Sequence, residues 1–155
     1  MFLERAAGFL IERGLTRGSS TRHNAEERRS AETWSELTFP RFYFYDVLRG
    51  LAALVGWAHS RRRSLPWSSL SAAVEGLVER FPDGNVAIQR RGFAGRMTRV
   101  RTPDGGWARR EPASEFPLLT ASSRVGEVST WLSRQWRQTS GQLLDLADLG
   151  LIAGA

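Results

Sequence analysis

Cysteine is absent from this chain, and so is lysine. Without cysteine there are no disulfides and no thiolate metal ligands, so a reducing cytoplasm is the expected compartment. Without lysine, Gly92 and Gly95 of GFAGR cannot belong to a Walker phosphate loop. Histidine is scarce: His23 and His59 are the only two, and neither has a second ligand at helical spacing, so no metal site is expected. Long apolar runs are missing too. None approaches the ~20 residues that cross a bilayer, and no membrane span is expected. The start, MFLERAAGFLIERG, breaks up its apolar residues with Glu4, Arg5, Glu12 and Arg13, unlike a secretory leader. No G-x-S-x-G elbow surrounds any serine. No catalytic residue is assigned and no cofactor is expected; the balance is against an enzyme.

What the chain does have is aromatic bulk and arginine. Its 155 residues suit one domain, at 41% hydrophobic with six Trp and eight Phe. Each such ring buries roughly 150–250 Å². All 22 basic residues are Arg, for a formal charge of +6. GC-rich codon usage in a bacterium accounts for that bias. The competing account is selection for bidentate binding of carboxylate or phosphate, which Arg performs and Lys does not.

Periodicity organises the rest into helices. Phe2, Ala6, Phe9 and Leu10 share one face of a helix over 2–13, with Gly14 as its C′ stop. Residues 15–36 are polar and nearly aperiodic, and read as a surface loop with mobile character. Val47, Leu48, Leu51, Leu54, Val55 and Ala58 form the apolar stripe of a second helix, with Pro40 in its first turn. Gly50 and Gly56 inside it cost about 1 kcal/mol each against Ala, so a neighbouring backbone is expected to come close there. A third helix spans 69–81 on Leu70, Ala73, Val74, Leu77, Val78 and Phe81, closed by Pro82-Asp83-Gly84-Asn85. Residues 86–111 read as a small β-hairpin or irregular insertion. FPLLTASSRVGE gives a short helix. Ser129 or Thr130 caps a last one, with Trp131, Leu132, Trp136, Leu143, Leu144 and Ala147 inward. The expected fold is mainly α, about five helices in one domain over 1–155.

Two segments carry candidate chemistry. Phe39, Phe42, Tyr43, Phe44 and Tyr45 put five aromatics into seven residues. They suit a plug at the helix start, or an aromatic wall for an apolar or cationic ligand. Asp46 and Arg49 stand three apart and could pair along the helix; Asp46 beside Tyr45 is also the one place for an unrecognised acid–base site. The second segment holds Arg90, Arg91, Arg96, Arg99, Arg101, Arg109 and Arg110 against Asp104 and Glu111, with Phe93 and Trp107 interleaved. It could track a nucleic acid or a phosphorylated ligand, but no helix-turn-helix, zinc or RNP signature accompanies it, so that reading ranks second.

WSELTFPRFYFYDVLRGLAALVGWA, with AAGFLIERGLTRG before it, resembles bacterial proteins of the squalene-cyclase and prenyltransferase-like α/α-toroid superfamily over residues 6–58. In that terpenoid-cyclase-like family a Trp precedes an FP pair and an aromatic–Tyr–Asp–Val–Leu–Arg–Gly–Leu helix. Asp104-Gly105-Gly106-Trp107 and Ser129-Thr130-Trp131-Leu132 are weaker echoes of its later elements. The resemblance implies helical hairpins of toroid type in an incomplete ring. The family's chemistry is not implied: no Asp-x-Asp-Asp motif is present, the nearest pair being Asp145 and Asp148, and its zinc set needs a cysteine. The expectation is therefore a non-catalytic helical module that self-associates, or binds a protein partner or hydrophobic ligand. Its expected site is Trp34, Phe42, Tyr43, Tyr45, Asp46, Arg49 and Trp107.

Overall fold

The second helical stripe of the sequence becomes the centre of the molecule. The computed structural model describes residues 2–19, 22–42, 44–92, 97–112 and 117–154. Helix α3, Val47–Arg61, buries Val47, Leu48, Leu51, Leu54, Val55 and Ala58 together, all six positions of the stripe. It packs most extensively on α6, Thr130–Asp148, and also meets α1, Phe2–Glu12, and α4, Ser71–Arg80. Leu132, Trp136 and Leu146 from α6, Leu70, Ala73 and Leu77 from the α4 region and Ala7 from α1 close the same core. Among the described residues α2, Ala25–Ala31, and α5, Pro117–Ser122, complete a mainly helical fold.

Short strands tie the helices together. Strand β1, Leu65–Pro66, pairs in parallel with β4, Ile152–Ala153, so the chain end is fastened beside the α3–α4 connection. Residues 86–90 lace between two other segments. Val86 and Ile88 exchange backbone hydrogen bonds with 126–129, while the Gln89 amide donates to the Leu37 carbonyl. The expected hairpin is present: β2, Met97–Arg101, runs antiparallel to β3, Trp107–Pro112, around the turn at 102–106.

Several expectations need correction. The stretch 15–36 is not all loop, since α2 lies inside it. AEERRSA has no apolar stripe to betray a helix, and α2 buries none of its residues. Helix α3 starts at Val47 and not near Pro40, because the Asp46 side chain accepts the Arg49 amide at 2.8 Å and fixes the first turn there. In α1 the inward residues are Ala7, Leu10 and Ile11, leaving Phe2 and Phe9 on the open side. Val78 of α4 is exposed, as are Trp131, Leu144 and Ala147 of α6, while Leu132 and Trp136 face the core as expected. Gly50 does admit a close neighbour, but a side chain and not a backbone. Gly56 has nothing nearer to a Cβ position than Gln142 at 3.9 Å.

Candidate functional site

The end of α1 sets the geometry of a cavity. The Leu15 amide donates to the Leu10 carbonyl and the Gly14 amide to that of Ile11. This is the Schellman pattern, with Gly14 at C′ as the sequence predicts. The motif joins the third residue from the helix end to the second one past it by an apolar contact. Those positions are Leu10 and Leu15, and both line the cavity. Leu15 adopts φ 62°, in the left-handed region. For a residue with a Cβ this costs roughly 1–2 kcal/mol. The turn aims the Leu15 carbonyl at the Tyr45 hydroxyl, which donates to it at 2.9 Å.

Tyr45 lies against α3 because Gly50 makes room. A Cβ on Gly50 would come within 2.7 Å of Tyr45 Cζ, closer than atoms pack. Trp34 then meets Tyr45 edge-on, with ring centroids 4.6 Å apart, and its carbonyl accepts the Val47 amide. The result is a cavity of about 180 Å³ walled by Phe9, Leu10, Leu15, Trp34 and Tyr45, with Arg13, Arg17 and Glu27 also lining it. Arg13 bridges to Glu27, joining the end of α1 to α2, and its guanidinium stacks 3.6 Å from the Phe9 ring centre. Burial, and next the Asp46 carboxylate, push the Tyr45 phenol well above its ordinary value of 10.0. It is therefore a neutral donor at physiological pH, not a base.

On the other side of the same segment lies a closed polar cluster. Arg41 and Asp46 are both buried, with Nε and Oδ2 2.5 Å apart. The two form an enclosed ion pair, while Arg41 Nη2 lacks a hydrogen-bond partner among the described residues. Arg41 Nη1 donates to Gln135 Oε1, and the guanidinium stands 4.9 Å from the Trp131 ring centre, itself beside Phe39. Burial pushes the Asp46 carboxyl up, opposed chiefly by the Arg41 charge, and it pulls Arg41 down. Both partners thus register the cost of desolvation. Asp46 is wholly buried, with one oxygen capping α3 and the other against Arg41, so it has no route to a substrate proton.

The residues proposed from sequence separate accordingly. Trp34 and Tyr45 come together in the cavity wall. Asp46 and Arg49 do not pair side chain to side chain as expected. Arg49 instead forks onto the carbonyls of Phe44 and Phe42 at 2.6 and 3.0 Å. Phe42, at φ 49°, is half exposed outside the cavity, and Tyr43 lies outside the described residues. Trp107 is 68% exposed on β3 and does not line the cavity. Of the arginine set, Arg90 Nε sits 3.8 Å from Glu36, and Arg91 and Arg101 are exposed. Arg99 pairs with Arg109 in the strand register, and Arg96 lies outside the described residues. Among those residues no group of three His, Asp or Glu is placed to hold a metal, and no helix is long and apolar enough to cross a membrane.

Sequence reasoning missed Phe9, Leu10 and Leu15 as wall, and Arg13, Arg17 and Glu27 as lining. The Gly14 stop was a usable signal, because a C′ glycine turns the next apolar residue back onto its helix. No family model, no curated protein and no solved structure matches this chain.

Proposed function

We propose that this chain is a non-catalytic helical binding module, of the toroid type that residues 6–58 resemble. Its ligand is a small apolar molecule held against Trp34 and Tyr45. What supports the reading is the cavity, about 180 Å³ and walled by three aromatic rings and two leucines. The cavity opens to solvent beside the exposed Phe9 and Arg17, and small ligands bind in apolar concavities of this kind. The volume falls below the roughly 300–1,000 Å³ of sites for drug-sized ligands, yet an apolar cavity of ~150 Å³ takes benzene. A ligand with one ring, or a short branched chain, fits.

The test is a titration with toluene and indole, followed through the methyl signals of Leu10 and Leu15. Saturable shifts at those two residues are expected. Shifts confined to other methyls, or none up to the solubility limit, would remove the cavity as the site.

A protein partner or a second copy is the second reading. It draws on the half-exposed rings of Phe42 and Trp131, since exposed apolar patches mark interfaces. Sedimentation at rising concentration checks it: a single monomer boundary throughout counts against self-association. The arginine segment supports a nucleic-acid reading less well, because Arg90 is already set against Glu36.

A further inference from the structure

The charges around the cavity restrict what enters it. Arg13 and Arg17 stand against Glu27: two positive charges less one negative leave one positive. The two arginines are not equivalent. Arg13 is committed, bridged to Glu27 and stacked on Phe9. Arg17 is exposed and carries no carboxylate partner among the described residues. It is nonetheless held in place. Its Nη2 donates to the Glu12 carbonyl at 3.0 Å and its Nε to that of Arg13 at 3.4 Å. The Glu12 carbonyl is an orphan at the end of α1, where a cation is favoured, while that of Arg13 also accepts the Arg17 amide. Neither bond uses Nη1, and Arg17 is among the residues lining the cavity.

Resting on the cavity reading above, we infer that the ligand is a monoanion: a single-ring or short branched apolar body with one carboxylate, its apolar end against Trp34 and Tyr45 and its carboxylate on Arg17. A cation is opposed by the two guanidiniums, and the Phe9 face that would attract one already holds Arg13. A dianion would leave a negative charge uncompensated next to an apolar wall, which is costly. A neutral ligand can accept a hydrogen bond from Arg17 but forgoes the ion pair with it.

Three probes sharing one ring separate these cases: phenylacetate, 2-phenylethanol and 2-phenylethylamine, titrated calorimetrically at low salt. Phenylacetate should bind a few-fold tighter than the alcohol, on the order of one exposed ion pair of about 0–1 kcal/mol. The amine should bind weakest. The advantage of the acid should shrink as salt rises. Arg17→Gln should remove that advantage, and Arg17→Lys should restore part of it. Equal binding of acid and alcohol, or tightest binding by the amine, overturns the inference and leaves the cavity reading standing. Failure of all three to bind overturns both. Unchanged acid affinity in folded Arg17→Gln overturns the role of Arg17 and with it the inference.

Discussion

Tyr45 and Asp46 are neighbours in sequence, yet they belong to regions built on opposite terms. On the Tyr45 side, polar atoms are paired and space is left over: the phenol has its carbonyl and the rings stand around a void. On the Asp46 side, space is filled and two opposite charges are enclosed: Arg41 Nε meets Asp46 Oδ2, and Arg41 Nη2 has no hydrogen-bond partner among the described residues. A fold tolerates the second kind of site when it fixes a chain path. Here Arg41 ties the loop to α6 through Gln135, and Asp46 starts α3. One dipeptide thus divides anchor from cavity, although the two residues had been grouped as a single candidate acid–base pair.

The sharpest way to break this comparison is to remove one charge from the anchor. Asp46→Asn keeps a good capping side chain but leaves the buried Arg41 without its counter-charge. The expected cost is about 3–5 kcal/mol, read from the denaturant midpoint. Adding Arg41→Met should recover most of it, because a filled apolar site replaces a costly pair. If Asp46→Asn falls within 1 kcal/mol of the parent, by order of magnitude a surface-pair value, the anchor reading is wrong. Next in size is Gly50→Ala. Its Cβ collides with the Tyr45 ring, so an overpacking cost of about 1–3 kcal/mol is expected. Tyr45 must also leave the wall, so toluene shifts at Leu10 and Leu15 should be lost. Retained binding in a folded Gly50→Ala would show that Tyr45 is not part of the site.

Smaller still is Glu27→Gln, which leaves α2 without its bridge to Arg13. A partly exposed pair of this kind is worth about 0–1 kcal/mol, so stability should hardly move. The bridge also lies at the cavity, however, and it cancels one of two arginine charges there. Removing Glu27 should therefore strengthen phenylacetate binding by a few-fold at low salt, on the order of one screened charge contact. Weaker binding would mean that Glu27 shapes the cavity more than it charges it.

How far the sequence could be read depended on whether period alone decided a feature. The α3 stripe was legible in full because its six apolar positions fit one face and all are buried. The stop at Gly14 and the 82–85 turn were legible from turn chemistry. Helix α2 was not, since AEERRSA shows no apolar face and lies on the outside. The start of α3 was misplaced because the aromatics before Asp46 look like a continuing helix, and only a side-chain cap ends that ambiguity. Trp131 was assigned inward on period, but its ring serves Arg41 and Phe39 at the edge of the core. Half of the cavity was visible for the same reason: Trp34 and Tyr45 stood out as aromatics, whereas Leu15 enters only through a left-handed turn.

The finest division between the two regions is made by one oxygen. Tyr45→Phe keeps the ring and deletes the donor to Leu15, so it should cost about 1 kcal/mol at neutral pH. Ring binding should change little. Its effect on pH dependence should be more telling. With the folded phenol raised above 10.0, both states are protonated below that pH and the contribution to stability is fully present. Above it the unfolded chain ionises first and so binds fewer protons than the native state. Stability must then fall as pH rises toward the folded value, by at most ~1.4 kcal/mol per pH unit for this one proton. The phenylalanine variant lacks that proton. Its stability curve should start below the parent's and cross or approach it above pH 10. Parallel curves would mean that the phenol meets water freely, and that the polar atoms on the cavity side are not enclosed as the Tyr45–Leu15 hydrogen bond implies.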